Sequence, residues 1–566
     1  MEKYPVAEAF VETLNANGVE NIFFNPGVDT VPVQVAVAKL NDRGEPAPRL
    51  VVCLDESVAM SAAHGHYMVS GRPQLVMVHS ELGTMQVGGS LHNAQWGRAP
   101  VILWAGNLQP PQRTTWQKDP YDQGSIVRNC VKAERHVVAG EDIRAVLGEA
   151  FQAAMTEPRG PVYLTYPLNV FSGELERREI APAVGDPAGT PAITADKMKE
   201  IASILVEAEN PLILTGYAGR YHESVASLVK LAETLCAPVM SGPTRMNFPT
   251  AHPLSAGFEQ AGGRGSANPF KENVDVLLII DYDTSYVAGP GPVGADTKII
   301  HIDIDPVTQG RPLWVRGVDI YHQTDSREFI PYLTKMIGEM VTPERRGQLQ
   351  ERYLQVEIKH DRQLEKYRAT AEDSAGHKPV SPDWLCFCVS EAIDDETILL
   401  NHTISHSSIV AEQVSHAQPG TLLACPGGSI QWALGASLGA KLASPESTVV
   451  NLVTDGGFVW GCPVASLWSS AAFQAPFLSV IFNNQSYGAI KRLIHGGYGE
   501  EVLPEEVAIN TGVDIIPAID YPAVAASVGA WGKTVEDPAD LPSVLKEALA
   551  QVRQGKPAVV DVRLQR

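Results

Sequence analysis

Short apolar runs alternate with helical stretches of small residues in the first third of the chain. There the order is RLVVCL, ESVAMSAAHGHYMVSG, QLVMVHS, a glycine-rich segment and APVILWAG. This order predicts parallel β-α-β units. Uninterrupted apolar runs such as LVMV are typical of strands that are covered on both faces of a sheet. We therefore expect residues 1–180 to form a first α/β domain with a doubly wound parallel sheet, closed near PVYLTYP.

Two further units of the same kind follow. After a polar, proline-bearing connector, the runs NPLILTG, APVMSG, VDVLLII and TKIIHIDIDP predict four buried parallel strands in a central domain at residues 190–340. A charged stretch between residues 342 and 382 predicts an exposed helix that joins domains. The runs ETILLN, GTLLAC, STVVNLVTDGG, FLSVIFNN and PAVVDVRL then predict the strands of a third domain at residues 375–566. The predicted fold is therefore α/β, with three doubly wound parallel-sheet domains.

Composition and charge narrow the class of partner. The chain of 566 residues is 44% hydrophobic and 19% charged, which is typical of a well-packed globular protein. Its net charge of −21, without a long basic run, argues against binding to nucleic acid or an anionic membrane. The seven scattered cysteines do not resemble a disulfide framework or a zinc site. Because we also find no signal peptide or long apolar run, we expect a cytoplasmic protein that acts on a small molecule.

The segment TDGGF…FNNQSYG contains the most informative chemistry. Asp455 follows one buried strand and Asn484 follows the next, and open α/β sheets bind ligands at the carboxyl ends of their strands. A magnesium ion needs few protein ligands, so Asp455, the Asn484 amide and a backbone carbonyl near Ser486 are sufficient. Gly456 and Gly457 allow the backbone to approach a diphosphate. The alternative is that the two segments are ordinary turns after strands.

The spacing of these residues resembles the signature of thiamine diphosphate enzymes, in which Gly-Asp-Gly is followed further along by Asn-Asn. Thr454 replaces the first glycine, and WGCP at residues 460–463 adds residues before the predicted helix. The resemblance implies that Asp455, Asn484 and the Ser486 carbonyl hold Mg²⁺. It also implies that Tyr487 and Gly488 lie against the diphosphate of the cofactor.

Two other segments resemble cofactor-binding parts of the same family. NHTISHSS supplies Ser405 and His406 at the position of a diphosphate-contacting loop. The alternative there is that His402 and His406 are exposed loop histidines. PGGSIQWALGASLGA resembles the turn and helix that hold the aminopyrimidine, which places Ser429 and Ile430 beside the cofactor. Ile430 is equally compatible with a role as a core residue.

Glu56 occupies the position of the glutamate that activates the cofactor in this family. It stands where a strand gives way to a helix, in LVVCLDESVAMSAAHGHY. A carboxylate beside the aminopyrimidine favours the tautomer that removes the thiazolium C2 proton. A glutamate in the first helical turn also occurs simply because it complements the helix dipole. Since the family places this glutamate and the metal site on different subunits, the resemblance implies a homodimer or homotetramer with a shared active site.

Several segments resemble benzoylformate decarboxylase. FFNPGVDTVP matches a turn that places Pro26 at the cofactor and Gly27 and Val28 at the substrate, and VHSELGTMQVGGSLHNAQ matches its histidine segment. His79 is expected to give and take protons there, although a histidine that ends a strand can also serve only to satisfy backbone groups. Val28 replaces a substrate-binding serine, and an apolar residue there is also found in benzaldehyde lyase.

The loop DYDTSYVAGPG at residues 281–291 shows two further departures. It has no histidine where the decarboxylase supplies a second one, and it replaces the flavin-contacting stretch of acetolactate synthase, so bound FAD is not expected. The best prediction is a 2-oxo acid decarboxylase or carboligase that acts on a keto acid or aldehyde. An acetolactate synthase-like or benzaldehyde lyase-like enzyme that does not decarboxylate is the alternative. A catalytically idle cofactor-binding scaffold is the alternative of another class.

Overall fold

Three parallel sheets of six strands each form the protein in the computed structural model, which confirms the predicted α/β fold with three such sheets. The structure describes residues 2–107, 122–182, 192–259, 268–282, 294, 296–306, 318–502 and 511–565, with only the backbone described at 499–502. Every strand pair within the three sheets is parallel. The boundaries between the domains remain a prediction.

The first sheet lies between helices of the N-terminal part. Its strands are β2 (Asn21–Phe24), β3 (Arg49–Val52), β4 (Gln74–Val78), β5 (Val101–Asn107), β6 (Ala133–His136) and β7 (Val162–Pro167), in the order β3-β2-β4-β5-β7-β6. The helices are α1 (Val6–Ala16), α2 (Val31–Asp42), α3 (Glu56–Ser70), α4 (Ser80–Gln86), α5 (Gly88–Trp96) and α6 (Ile143–Met155). A small antiparallel pair joins β1 (Lys3–Pro5) to β8 (Glu174–Glu176). The glycine-rich segment of the sequence is thus two short helices, α4 and α5.

The central sheet contains the four predicted strands and two more. Its strands are β9 (Pro211–Thr215), β10 (Val239–Ser241), β11 (Ser255–Phe258), β12 (Val276–Ile280), β13 (Lys298–Asp303) and β14 (Ile320–Gln323), in the order β11-β10-β9-β12-β13-β14. The helices are α7 (Ala195–Glu207), α8 (His222–Leu235) and α9 (Ser326–Met340). The two strands that were not predicted, β11 and β14, are the two edges of this sheet. The charged segment that follows forms the long helix α10 (Pro343–Asp373).

The third sheet occupies the C-terminal part. Its strands are β15 (Ile398–His402), β16 (Leu422–Ala424), β17 (Val449–Thr454), β18 (Leu478–Asn483), β19 (Trp531–Val535) and β20 (Ala558–Arg563), in the order β16-β15-β17-β18-β20-β19. The helices are α11 (Pro382–Ala392), α12 (Ser407–Gln413), α13 (Ala433–Ala443), α14 (Asp455–Trp460), α15 (Pro463–Ala472), α16 (Gly488–Val502), α17 (Tyr521–Ala526) and α18 (Leu541–Arg553). Within the described residues, no helix is long and apolar enough to cross a membrane.

The first and third sheets are joined by close packing of α3 against α13. A Cβ atom added at Gly439 would lie 1.8 Å from the carbonyl oxygen of Ala62, and one added at Gly65 would lie 2.2 Å from that of Ala436. The two backbones therefore approach each other where only glycine leaves room. A single buried hydrophobic cluster includes residues of both helices and of both sheets. This packing fixes the first domain against the third.

Candidate functional site

Asp455 and Asn484 lie at the carboxyl ends of neighbouring strands, since β17 pairs with β18. The structure corrects the expected helix start: α14 begins at Asp455 itself. Trp460 ends this helix, residues 461 and 462 form a short break, and Pro463 begins α15. The Gly457 N–H donates to Thr454 Oγ1 at 2.9 Å, so Thr454 caps α14. This cap gives the threonine a structural role at the position where the family signature has glycine.

The Asp455 carboxylate is buried and only partly hydrogen-bonded. Its Oδ1 accepts from the Gly456 N–H at 2.7 Å, while Oδ2 is buried with no partner among the described residues. Burial raises the pKa of Asp455 to about 6, although the N–H groups of Gly456, Gln485 and Ser486 lower it. After the neighbouring strand β18, the Ser486 N–H donates to Asn484 Oδ1 at 3.2 Å, which fixes this amide oxygen in the turn of residues 484–486. The unpartnered carboxylate oxygen and its oxygen neighbours fit a hard cation such as Mg²⁺.

Glycines line the turn around these oxygens. A Cβ at Gly456 would lie 3.3 Å from the Tyr487 ring, and one at Gly488 would lie 2.6 Å from Asn484 Nδ2 and 3.8 Å from Ser405 Oγ. The backbone at Gly456 and Gly488 therefore approaches Tyr487 and Asn484 where a Cβ atom would be crowded. No three His, Cys, Asp or Glu side chains form a metal-binding group in the described ranges. A cation here would thus depend on amide and carbonyl oxygens besides the one carboxylate.

The predicted loop after β15 lies beside this cluster. Ser405 and His406 belong to a single 3-10 turn, Ile404–His406, and the His406 ring packs on Phe482 with 5.6 Å between centroids. The alternative interpretation as exposed loop histidines is wrong for His402, which ends β15 and is buried. Burial lowers the pKa of His402 to about 4, so it is neutral at physiological pH.

Ser429 and Ile430 precede α13, in a turn that lies between α5 and the cluster around Asp455. The Asn93 side chain of α5 holds Ser429 through two hydrogen bonds, accepting from its N–H at 3.0 Å and donating to its carbonyl at 2.9 Å. Ile430 is half-buried rather than a core residue, and its carbonyl oxygen would lie 3.9 Å from a Cβ at Gly457. Sequence reasoning missed Asn93, since nothing in the sequence pairs α5 with this turn.

Glu56 is the first residue of α3, at the carboxyl end of β3. Asp55 caps the helix by accepting from the Ser57 N–H at 2.8 Å. The Glu56 side chain is half-buried and lies against Gly83 of α4, where an added Cβ would be 3.2 Å from its Oε1. Within the described part of the chain, no hydrogen bond or ion pair reaches the Glu56 carboxylate. The carboxylate is therefore free to bind an incoming group.

His79 and the turn after β2 meet at the same edge of the first sheet. A Cβ at Gly27 would lie 2.7 Å from His79 Nδ1, so the turn and the imidazole are in close contact. His79 Nδ1 lies 2.9 Å from Asp29 Oδ1, which the sequence did not single out. Beside them, Pro26 is exposed and the Val28 side chain is 73% exposed. His79 therefore pairs with a carboxylate and not only with backbone groups.

The predicted site residues thus form two groups, one at the carboxyl edge of the first sheet and one at that of the third. Strained backbone accompanies both groups. Ten described non-glycine residues have positive φ, and four of them lie within two residues of Glu56, His79, Ser405 or Ser486: Leu54, Ser80, Ile404 and Gln485. Such conformations persist only where the surrounding structure enforces them, and they concentrate at functional sites.

The loop at residues 281–291 is only partly described. Asp281 is buried and forms a 2.6 Å ion pair with Arg220. Residues 283–291, on which the expectations about a second histidine and about FAD depend, lie outside the described residues.

Comparisons with known proteins match this architecture along the chain. The family models described as "Thiamine pyrophosphate enzyme" match with the N-terminal TPP binding domain at residues 5–126, the central domain at 198–333 and the C-terminal TPP binding domain at 404–562. Both groups of site residues fall within the matched TPP binding domains.

Curated relatives and solved structures span the whole chain. Benzoylformate decarboxylase of Pseudomonas aeruginosa is 26% identical over 573 residues, which cover 99% of each chain. A probable acetolactate synthase large subunit of Methanocaldococcus jannaschii is 25% identical over 577 residues, covering 98% of this chain and 91% of that protein. The structure of a thiamine diphosphate-dependent 4-hydroxybenzoylformate decarboxylase of Rhodococcus jostii superposes with a TM-score of 0.78 at 24% identity, covering 99% of both chains. The chain therefore belongs to the thiamine pyrophosphate enzymes, whose cofactor is also called thiamine diphosphate.

Proposed function

We propose that the protein uses thiamine diphosphate and Mg²⁺ to break or form a carbon–carbon bond next to the carbonyl group of a 2-oxo acid or an aldehyde. The observation that carries this proposal is the presence of two groups of residues in one protein. One group contains Glu56 and His79, and the other contains Asp455 and Asn484. Each group lies at the carboxyl edge of a sheet that matches a TPP binding domain. A full-length relative is a benzoylformate decarboxylase, which supports 2-oxo acid decarboxylation or carboligation as the reaction class.

The third domain offers the groups that would hold the cofactor and its metal. Asp455, the Asn484 amide and the Ser486 carbonyl would bind Mg²⁺, and the glycine-lined turn with Ser405, His406 and Tyr487 would accept the diphosphate. Ser429 and Ile430 would contact the aminopyrimidine. When bound, the cofactor supplies the carbon that adds to the substrate carbonyl and stores its electron pair.

The first domain supplies the carboxylate and the proton relay. Glu56 has no described partner, so its carboxylate can hydrogen-bond the pyrimidine ring of the cofactor and hold a proton there. His79 can exchange a proton with the oxygen of the substrate carbonyl or hydroxyl group. Gly27 belongs to the turn that contacts His79, and we expect Pro26 to contact the cofactor and Gly27 the substrate.

We propose a homodimer, or a tetramer of two such dimers, in which the first domain of one subunit completes the cofactor site of its partner. Exposed apolar side chains border both groups of site residues. Those in the first domain are Val28, Leu54, Leu82 and Met85, and those in the third are Val459, Trp460, Val464, Ile490 and Leu493. A second copy that covers these surfaces would remove them from water, which favours association. Sedimentation equilibrium with and without the cofactor measures the subunit number.

Val28 favours a second candidate reaction, an acyloin lyase or carboligase that does not release carbon dioxide. Its side chain is 73% exposed, follows Gly27 in the turn that contacts His79, and offers no hydrogen bond to a substrate carboxylate. An apolar side chain at this position suits an aldehyde or acyloin better than a 2-oxo acid. Both reactions would use the cofactor, Glu56 and His79. They differ in whether carbon dioxide is released from the substrate.

Product analysis separates the candidates. The purified protein with thiamine diphosphate and Mg²⁺ is incubated with pyruvate, with benzoylformate and with paired aldehydes, and carbon dioxide and acyloins are measured. Release of carbon dioxide from a keto acid supports the decarboxylase. Formation of acyloins from aldehydes, without carbon dioxide from any keto acid, supports the second candidate. Tryptophan quenching by the cofactor without any turnover of these substrates would instead support an idle scaffold.

The remaining proposals concern the flavin and the compartment. We propose that no FAD is bound, and an absorption spectrum of the purified protein without a flavin band would agree. We propose a cytoplasmic location, which the seven free cysteines support because free thiols are typical of a reducing compartment.

A further inference from the structure

Asp29 and His79 form a close pair at the edge of the first sheet. The distance from His79 Nδ1 to Asp29 Oδ1 is 2.9 Å, and the Ser80 N–H donates to Asp29 Oδ2 at 3.2 Å. Ser80 has a left-handed backbone with φ of 45°, and it follows His79 directly. This conformation turns the Ser80 N–H to the same carboxylate that the imidazole contacts. Both oxygens of Asp29 are thus engaged.

The surrounding chain leaves room for this carboxylate and for little else. A Cβ at Gly106 would lie 1.8 Å from Asp29 Oδ2, and one at Gly27 would lie 2.6 Å from Oδ1. The Tyr166 hydroxyl donates to the Asp29 carbonyl at 2.7 Å, which fixes the backbone. Three separate strands, β2, β4 and β5, therefore end around Asp29, and β7 supplies Tyr166. The packing of these elements therefore fixes the position of Asp29 relative to His79.

The two side chains differ in their access to solvent. The Asp29 side chain is 9% exposed, whereas the His79 side chain is 26% exposed. Asp29 therefore cannot readily reach a substrate, while the imidazole can. A carboxylate that accepts a hydrogen bond from Nδ1–H leaves Nε2 without a proton in the neutral imidazole. The exposed part of His79 would then present a proton acceptor.

We propose that Asp29 is a positioning residue that holds His79 in the Nδ1-protonated tautomer, so that Nε2 accepts a proton from the substrate oxygen. The proposal rests on the function proposed above. In the step, the O–H bond of a substrate hydroxyl group breaks and an Nε2–H bond forms, and the same proton returns to oxygen later in the cycle. The imidazolium formed in between lies against the Asp29 carboxylate, which stabilises its charge.

The tautomer of His79 can be measured without any substrate. Protein labelled with ¹⁵N-histidine is compared with the His79→Gln variant, which identifies the His79 signals, and the nitrogen shifts at neutral pH report which ring nitrogen carries the proton. We expect Nδ1–H in the unaltered protein and a shift towards Nε2–H in Asp29→Ala. Protonated Nε2 in the unaltered protein, or an unchanged tautomer in Asp29→Ala, would overturn the proposal.

Glu8→Gln is the matched control. Glu8 is a buried carboxylate of the same domain that pairs with Arg43 at 2.7 Å, on the helix α1. We expect this variant to keep the His79 tautomer and the turnover of the unaltered protein. A tautomer change in Glu8→Gln as large as that in Asp29→Ala would show that loss of any buried carboxylate disturbs the domain, and would overturn the specific role of Asp29.

Kinetics test the same idea during turnover. Asp29→Asn keeps the size and shape of the side chain, so the fold is preserved, but it removes the charge. We expect it to lower kcat at least about tenfold with little change in KM, and to add nothing in a His79→Ala background, because the two residues act as one unit. An equal further loss in that background would overturn the proposal. If the unaltered protein turns over no keto acid or aldehyde, the proposed function fails, and the tautomer measurement still decides the role of Asp29.

Discussion

Mg²⁺ binding should weaken about tenfold between pH 8 and pH 5, because a proton competes with the cation for Asp455. Burial raises the pKa of this carboxyl group to about 6. The ionised form is the ligand, so at pH 8 nearly all molecules can bind, at pH 6 about half can, and at pH 5 about one in eleven can. Binding is expected to weaken as the pH falls because the pKa of Asp455 is raised into this pH range. A carboxyl group with an ordinary pKa near 3.8 would lose almost no affinity over this range.

The assay uses a tryptophan that lies next to the site. Trp460 ends α14, and its Nε1 is 3.3 Å from the hydroxyl oxygen of Tyr487. Mg²⁺ is titrated into protein with saturating thiamine diphosphate at pH 5, 6 and 8 while the fluorescence is recorded. The affinity of Mg²⁺ for the free cofactor is measured separately at each pH, because the diphosphate also takes up protons.

Two variants complete this test. Asp455→Asn should bind Mg²⁺ at least about tenfold more weakly at pH 8, since a charged ligand is lost. Ser486→Ala keeps the backbone carbonyl that we propose as a ligand and should bind like the unaltered protein. An affinity that is the same at pH 5 and pH 8, or normal binding by Asp455→Asn, would refute the assignment of Asp455.

Two glycines give further predictions. Gly83→Ala should reduce activity while cofactor binding persists. Its Cβ would lie 2.8 Å from Val78 Cβ and 3.2 Å from Glu56 Oε1, so α4 must shift beside the carboxylate. Pre-steady-state rates and cofactor titration measure the two effects. Gly439→Ala should destabilise the protein by about 1–3 kcal/mol, because its Cβ would lie 1.8 Å from the Ala62 carbonyl oxygen. Its control is Gly338→Ala in α9, where nothing lies within 4 Å of the added Cβ, and we expect that variant to be more stable by about 0.5–1 kcal/mol in thermal melts. Equal melting temperatures for these two variants would contradict the packing argument.

Hydrophobic patterns identified most central strands of the three sheets and two of the six edge strands, β3 and β16. Four strands that the sequence did not reveal are β6, β11, β14 and β19, and each is an edge of its sheet. An edge strand is covered by fewer neighbours, so its sequence carries fewer apolar residues. AERH in β6 contains no fully buried residue. The short strand β2, NIFF, was also missed although it is buried, because four residues give too little periodicity.

Residues near the ends of strands were predictable where a motif marks them. Asp455 and Asn484 were singled out because polar residues directly after neighbouring buried strands are placed together by the sheet, and Glu56 because its position resembles that of the family's activating glutamate. Asp29 and Asn93 were not found, because each acts through a partner that is distant in sequence, His79 and Ser429. Such pairs depend on how the strands and helices pack, which a single sequence does not show.

The activating role of Glu56 is the central claim, and hydrogen–deuterium exchange at C2 of bound thiamine diphosphate tests it most directly. The exchange is followed by NMR after acid quench in the unaltered protein, in Glu56→Gln and in the control Glu8→Gln, with cofactor binding verified for each. We predict that Glu56→Gln slows the exchange at least about a hundredfold, the low end of what a positioned general acid–base group contributes, while Glu8→Gln exchanges at the unaltered rate. An unchanged exchange rate in Glu56→Gln with the cofactor bound would contradict the account.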